Sequence, residues 1–299
     1  MAVNVCDYSP SAATDPTEAI DANYPYDNPM GALGSVGAHF RPALRDNWTD
    51  WSAGELSLDE SMRRPIYDFV DNLSWFSREV GDSGYGNIAW IGHVGGGPGD
   101  RRATYHNTGH ALDIVRIQWV GGNASHPRDG TSEVHDDQGR WLQTTHRRMV
   151  AVEAALRKHF GYVLNRYIGD PAIEEGEWGE EGPNSKHQNH FHVDNGCERA
   201  LRVDRTSLDN SAQGHRSVRS CHYFVQDCIN AFTDLEVEYD GRWSRATEHG
   251  YLTLISDLGM ECLDPTTYLT HYMLFLDYIV IHGLSGNGAG AYRWGDYIV

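Results

Sequence analysis

A chain of 299 residues with 40% hydrophobic content, nine Trp and sixteen Tyr can bury a substantial core, as one large domain or two modest ones. Its formal charge of −18 argues against nucleic acid as a partner, because phosphate contacts need a basic face, and gives no general attraction to an anionic membrane or wall polymer. Lys158 and Lys186 are the only lysines; an Arg-for-Lys, acid-rich composition suits either a halophilic protein or a GC-rich coding bias.

Residues 1–56 lack sustained periodicity and read as an extended N-terminal arm, with turns at Asn28-Pro29 and between Gly31 and Gly37. Its aromatic residues, Tyr24, Tyr26, Phe40, Trp48 and Trp51, imply that it packs on something. The first six residues after Met1 show neither the basic nor the apolar region of a signal peptide, and no run of about 18 apolar residues forecasts a membrane span. An extracellular or virion-associated protein without a visible leader is the expectation. A helix is expected from Ser57 and Asp59-Glu60 to about Val80, with Ile66, Phe69, Val70, Leu73 and Phe76 on one stripe. Asn87 to Val94 reads as a strand. The glycine run that follows, Gly95 to Gly99, is no phosphate loop, because neither Lys-Ser/Thr nor a helix signal comes after it.

Ala111-Leu112-Asp113-Ile114-Val115-Arg116-Ile117 reads as a strand, which places His106 in a turn before it and leaves His110 a spectator or a group behind the site. His93 is a weaker candidate for the same cleft. Gln118 to Trp141 is loop-like, Thr144 to Phe160 is helical with Met149, Val152, Ala155, Leu156 and Phe160 inward, and Tyr162 to Asn165 is a short strand. An acidic loop containing Glu174, Glu175, Glu177, Glu180 and Glu181 leads into Lys186-His187-Gln188-Asn189-His190-Phe191-His192-Val193-Asp194. In a strand His190 and His192 project to one face, roughly 6–7 Å apart. That suits one imidazole on a metal and the other beside it; an exposed polar turn is the alternative. Asp194 either orients a histidine or caps the strand.

A polar linker, 206–215, separates this region from a helical one spanning 216–284, and 285–299 form a Gly-rich tail with Tyr292, Trp294 and Tyr297. A third C-terminal helix is expected from Asp264 to His282. Five cysteines, Cys6, Cys197, Cys221, Cys228 and Cys262, leave at least one unpaired within the chain. Cys221 and Cys228 lie two helical turns apart, about 10 Å, too far to bridge, so Cys228–Cys262 is the expected pair. The fold class read from these elements is α+β: a small antiparallel sheet with flanking helices, domain 57–205, followed by a three-helix module.

His106-x-x-Gly109-x-Ala111-x-Asp113 followed later by His187-x-x-His190-x-His192 resembles the zinc peptidases of the D-Ala-D-Ala carboxypeptidase, murein endopeptidase and lysostaphin group. The nearest pattern is the murein-endopeptidase and extensin-like branch, and the resemblance covers roughly residues 60–205. It implies that His106, Asp113 and His192 bind Zn2+. It also implies that His190, with His187 nearby, performs the proton transfer that a Glu performs in the carboxypeptidase branch. Arg102, beside Arg101, has the chemistry to hold a substrate carboxylate; a solvated loop pair is the other reading. Val225-Gln226-x-x-Ile229-Asn230 and Asp240-Gly241-x-x-Ser244-x-x-Thr247 resemble the small helical peptidoglycan-binding module, with Ser244 in place of its usual Gly.

Three functions stay open at this point. The first is a zinc amidase or peptidase cutting a cell-envelope peptide or glycopeptide. The second is a virion or tail component, or a homo-oligomer, assembled through arm and tail while keeping the fold. The third is a non-catalytic envelope-binding protein.

Overall fold

The computed structural model describes residues 29–30, 33–42, 56–81, 84–95, 106, 109–125, 143–165, 190–194, 202–205 and 216–285. In chain order its elements are β1 (Pro29–Met30), β2 (His39–Pro42), β3 (Leu56–Ser57), α1 (Glu60–Glu79), β4 (Ile88–Gly95), β5 (Ala111–Trp119) and β6 (Ala124–Ser125). Then come α2 (Gln143–His159), β7 (Tyr162–Asn165), β8 (Phe191–Asp194), α3 (Arg216–Phe232), α4 (Arg245–Asp257) and α5 (Leu269–Ser285). The expected α+β class holds.

Strands order as β2-β4-β5-β8-β7, with β6 also paired to β5, and all pairs run antiparallel except β2 with β4. The parallel exception comes from His39–Pro42, within the stretch read as an arm. Four residues are too few to display a period, whereas the backbone donors and acceptors of β4's free edge reward any chain laid along it. A separate two-stranded ribbon joins β1 to β3.

Helix α1 starts where the Asp59 carboxylate accepts the Ser61 N–H at 2.8 Å. Its buried stripe, Met62, Ile66, Phe69, Val70, Leu73 and Phe76, covers one face of the sheet. Two buried serines fasten it there. Ser74 Oγ accepts the Ile88 N–H at 2.9 Å, and Ser77 Oγ accepts the Trp119 indole N–H at 2.8 Å. Helix α2 is apolar on several sides because α1, α3 and α5 all pack on it. The sheet and the C-terminal helices therefore share one hydrophobic cluster.

A buried charged group inside that cluster is paired. Arg157 donates to Glu153 Oε1 through Nε at 2.9 Å and Nη2 at 2.7 Å, and to Ser220 Oγ at 2.6 Å. Ser220 Oγ in turn donates to the Val163 carbonyl at 2.8 Å, tying α3 to β7. The residues that suggested a glycan module serve the backbone. Gln226 donates to Asp240 Oδ1 and accepts the Gly241 N–H, Asn230 exchanges two hydrogen bonds with Val237, and Ser244 caps α4 by accepting the Thr247 N–H. Ser244 departs from the usual Gly where a capping hydroxyl is of use.

Two sequence expectations need correction. The third C-terminal helix begins at Leu269, not Asp264, because the Asp264 carboxylate accepts the Thr266 N–H at 3.0 Å and closes a turn. No Cys228–Cys262 bond forms: Cys221 and Cys228 are buried free thiols on α3, and Cys262 is an exposed free thiol beyond α4. Cys6 and Cys197 lie outside the described residues.

At the α2–α5 crossing a Cβ on Gly283 would stand 2.4 Å from the Arg147 carbonyl oxygen and 2.5 Å from Ala151 Cβ. Gly283→Ala gains about 1 kcal/mol of helix propensity, but forcing two packed helices apart costs typically 1–3 kcal/mol or more. Net destabilisation is expected in urea unfolding. A variant as stable as the parent would mean that the crossing is looser than described.

Candidate metal centre

Strands β5 and β8 pair so that Asp113 lies directly opposite His192. Opposed residues of an antiparallel pair share a face with their Cβ atoms about 5 Å apart. Here the side chains meet: His192 Nδ1 is 3.0 Å from Asp113 Oδ1. His106, in the turn before β5, brings Nε2 to 3.1 Å from His192 Nδ1 and 3.4 Å from Asp113 Oδ1. Three donor atoms thus form a triangle with edges of 3.0, 3.4 and 3.1 Å. Bonds of about 2.0–2.1 Å to a tetrahedral zinc ion require ligand-to-ligand edges of about 3.3 Å. The residues fit a metal ion, and no other His/Cys/Asp/Glu group among the described residues gathers in this way.

The start of α1 holds the His106 turn. Gly109 N–H donates to the His106 carbonyl at 3.1 Å, and Asp59 N–H donates to the Gly109 carbonyl at 2.9 Å. Gly109 has φ +70°, and a Cβ there would sit 2.7 Å from the Asp59 nitrogen, so only glycine suits the position. His110 is buried with Nε2 3.4 Å from Asp59 Oδ1. It braces the loop behind His106, a role its spacing alone did not reveal. His93 is buried edge-on to Phe40, beneath the site on the core side, and burial lowers its pKa to about 4 although Asp113 pulls the other way.

Burial opposes charge throughout the centre, and the neighbours decide which groups ionise. Asp113 would be raised by desolvation, but His190, His106 and His192 hold it well below the usual carboxylate range. His192 would be lowered by burial, yet hydrogen bonds to Asp113 and Asp194 outweigh that and lift it to about 10. Its Nε2 lies 3.1 Å from Asp194 Oδ2, so Asp194 turns the ring that points Nδ1 at the centre. His190 stands just before β8 with Nε2 3.5 Å from Asp113 Oδ1. Burial first lowers its pKa, with smaller contributions from neighbouring His192 and His106 and with Asp113 opposing them, leaving it neutral at pH 7.

His106, Asp113, His190 and His192 are therefore brought together. His187, Arg102 and the glutamates of 174–181 lie outside the described residues. Asp194 orients a histidine, one of its two expected roles, whereas Asp59 was legible as a helix start but not for its contact with the His106 loop. No known protein family matches the chain, and no curated protein or solved structure is significantly similar to it. Fold and geometry together define an α+β protein with a two-histidine, one-aspartate site able to coordinate a divalent metal ion.

Metal binding must displace the proton on His192 Nδ1. Affinity for zinc, measured against a competing chelator, should rise about tenfold per pH unit between pH 6 and 8. Metal-free stability has the opposite sign. The raised His192 pKa contributes fully below about 6.5 and is lost as pH climbs toward about 10, so the apo thermal midpoint should fall across that window. A pH-independent zinc affinity would show that no proton occupies the site before the metal.

Proposed function

We propose that the protein is a zinc-dependent hydrolase that cleaves peptide (amide) bonds in a cell-envelope polymer. The observation that carries this reading is the triangle of His106, Asp113 and His192 donors with neutral His190 beside it. Three protein donors gather among the described residues, and three is the count of zinc sites that keep a position for substrate or water. A bound zinc ion supplies Lewis acidity toward a carbonyl and toward water.

The chain's own residues do the remainder. His106 Nε2, Asp113 Oδ1 and His192 Nδ1 would hold the ion, and Asp194 fixes the ring of His192. Neutral His190 can take a proton from the attacking water and return it to the departing nitrogen, the task of a general base that becomes a general acid. The spacing of the two histidine motifs, which resembles the murein-endopeptidase branch, supports a peptide in the envelope as substrate.

The test separates metal holding from proton transfer. The parent should bind about one zinc ion per chain, and His106→Ala with His192→Ala should abolish it. His190→Ala should keep the metal while lowering the hydrolysis of envelope peptides by about 10²–10⁴-fold. A parent that stays metal-free after zinc addition would remove the hydrolase reading, and an unimpaired His190→Ala would remove that histidine from the chemistry.

A further inference from the structure

The three metal donors are positioned by different means. Asp113 and His192 sit on paired strands, where the backbone ladder fixes both. On its other side β5 pairs with β4, with Val115 as an extra residue between the pairs Gly92–Arg116 and His93–Ile114. The ring of His192 is then turned by Asp194, 3.1 Å from its Nε2. His106 has neither support. It stands in a turn before β5, and its buried Nδ1 finds no hydrogen-bond partner among the described residues. A histidine ligand ordinarily gives that second nitrogen to a carboxylate, a carbonyl or water, and the contact fixes the ring.

His106 is held instead by its backbone, and the hold leads to one residue. Its carbonyl accepts the Gly109 N–H at 3.1 Å, and the Gly109 carbonyl accepts the Asp59 N–H at 2.9 Å. Gly109 lies so close to the other chain segment that a Cβ would stand 3.3 Å from the Leu58 carbonyl carbon as well as 2.7 Å from the Asp59 nitrogen. The Asp59 side chain reaches in two directions. Its Oδ1 accepts the Ser61 N–H at 2.8 Å, capping a helix of 20 residues, and the same oxygen lies 3.4 Å from His110 Nε2 on the far side of Gly109. The Asp59 carbonyl accepts the Met62 N–H at 3.0 Å. Leu58 and Met62 are both buried in the core, so a shift of Asp59 would drag close-packed side chains with it.

We propose that Asp59 is a positioning residue for the metal ligand His106, setting the zinc affinity of a centre it does not touch and coupling that centre to the start of α1. The proposal rests on the metal-binding reading of the centre, not on hydrolysis. The carboxylate joins the cap of α1 to His110, and the two hydrogen bonds through Gly109 carry that fixed point to the backbone of His106. A turn released from it would present Nε2 to the donor triangle for only part of the time, and apparent affinity falls by that fraction. By linkage, an ion that fixes His106 must in turn fix the contact between Gly109 and Asp59.

Zinc affinity of the full-length chain, measured against a competing chelator, tests this. Asp59→Ser keeps a capping hydroxyl but is too short to bridge to His110. It should weaken zinc binding about tenfold or more, the cost typical of removing a group that orients a ligand. Asp59→Asn, with an oxygen in the same place, should recover most of that loss. His110→Gln, which removes the other end of the bridge and leaves the cap, should weaken zinc similarly and serves if Asp59→Ser folds poorly. Gly283→Ala, destabilised at the α2–α5 crossing, should keep the parent's affinity. In the parent, zinc should slow hydrogen exchange of the Asp59 amide, and less so in Asp59→Ser. Equal affinity in parent and Asp59→Ser, or affinities that simply follow thermal midpoint across all these variants, would make Asp59 a helix cap only and overturn the proposal. A parent that binds no zinc would overturn it differently, by removing the centre itself.

Discussion

The centre depends on the pairing of Asp113 with His192 across β5 and β8. A slip of one residue would turn every β8 side chain to the opposite face and leave Asp113 buried without its imidazole. Burying a carboxylate is costly unless it is paired and hydrogen-bonded, and here three histidines surround one. The same concentration of groups makes proton and metal rivals for His192 Nδ1. Folding thus assembles a site that a proton fills when no cation does.

That register is maintained from below. Val193 of β8 pairs with Val163 of β7, and the Val163 carbonyl accepts from Ser220 at the start of the C-terminal helices. Ser220 belongs to the buried Arg157–Glu153 group, whose charges would be expensive if either partner were lost. From the other end, α1 holds β4 and β5 through Ser74 and Ser77 and holds the His106 turn through Asp59. Helices at both ends of the chain therefore bear on four side chains at one end of a small sheet.

Long periodic segments were legible in advance. The stripes of α1 and α2 repeat over four or more turns, and β5 announces itself by β-branched residues. Short or irregular features were not. Strand β2 has only four residues, the extra Val115 leaves no mark in the alternation of apolar residues, and the Asp264 turn looks like the first turn of the helix it precedes. Cys228 and Cys262 illustrate a different limit. Their residue type permits a bond, but only packing shows that one thiol faces the core and the other the solvent.

By itself the sequence determined the chemistry available to the centre. The histidine and aspartate donors and the two-residue spacing that aligns His190 with His192 follow from side-chain type and local backbone preference. Tertiary structure alone decided that residues 79 and 86 positions apart would meet within 3.1 Å. It also decided that two neighbouring histidines on one face would differ in charge, His192 held protonated by two carboxylates and His190 held neutral chiefly by burial. Local torsions and residue chemistry are written in adjacent residues. Register, burial and electrostatic field are sums over distant ones, and they exist only once the chain has folded.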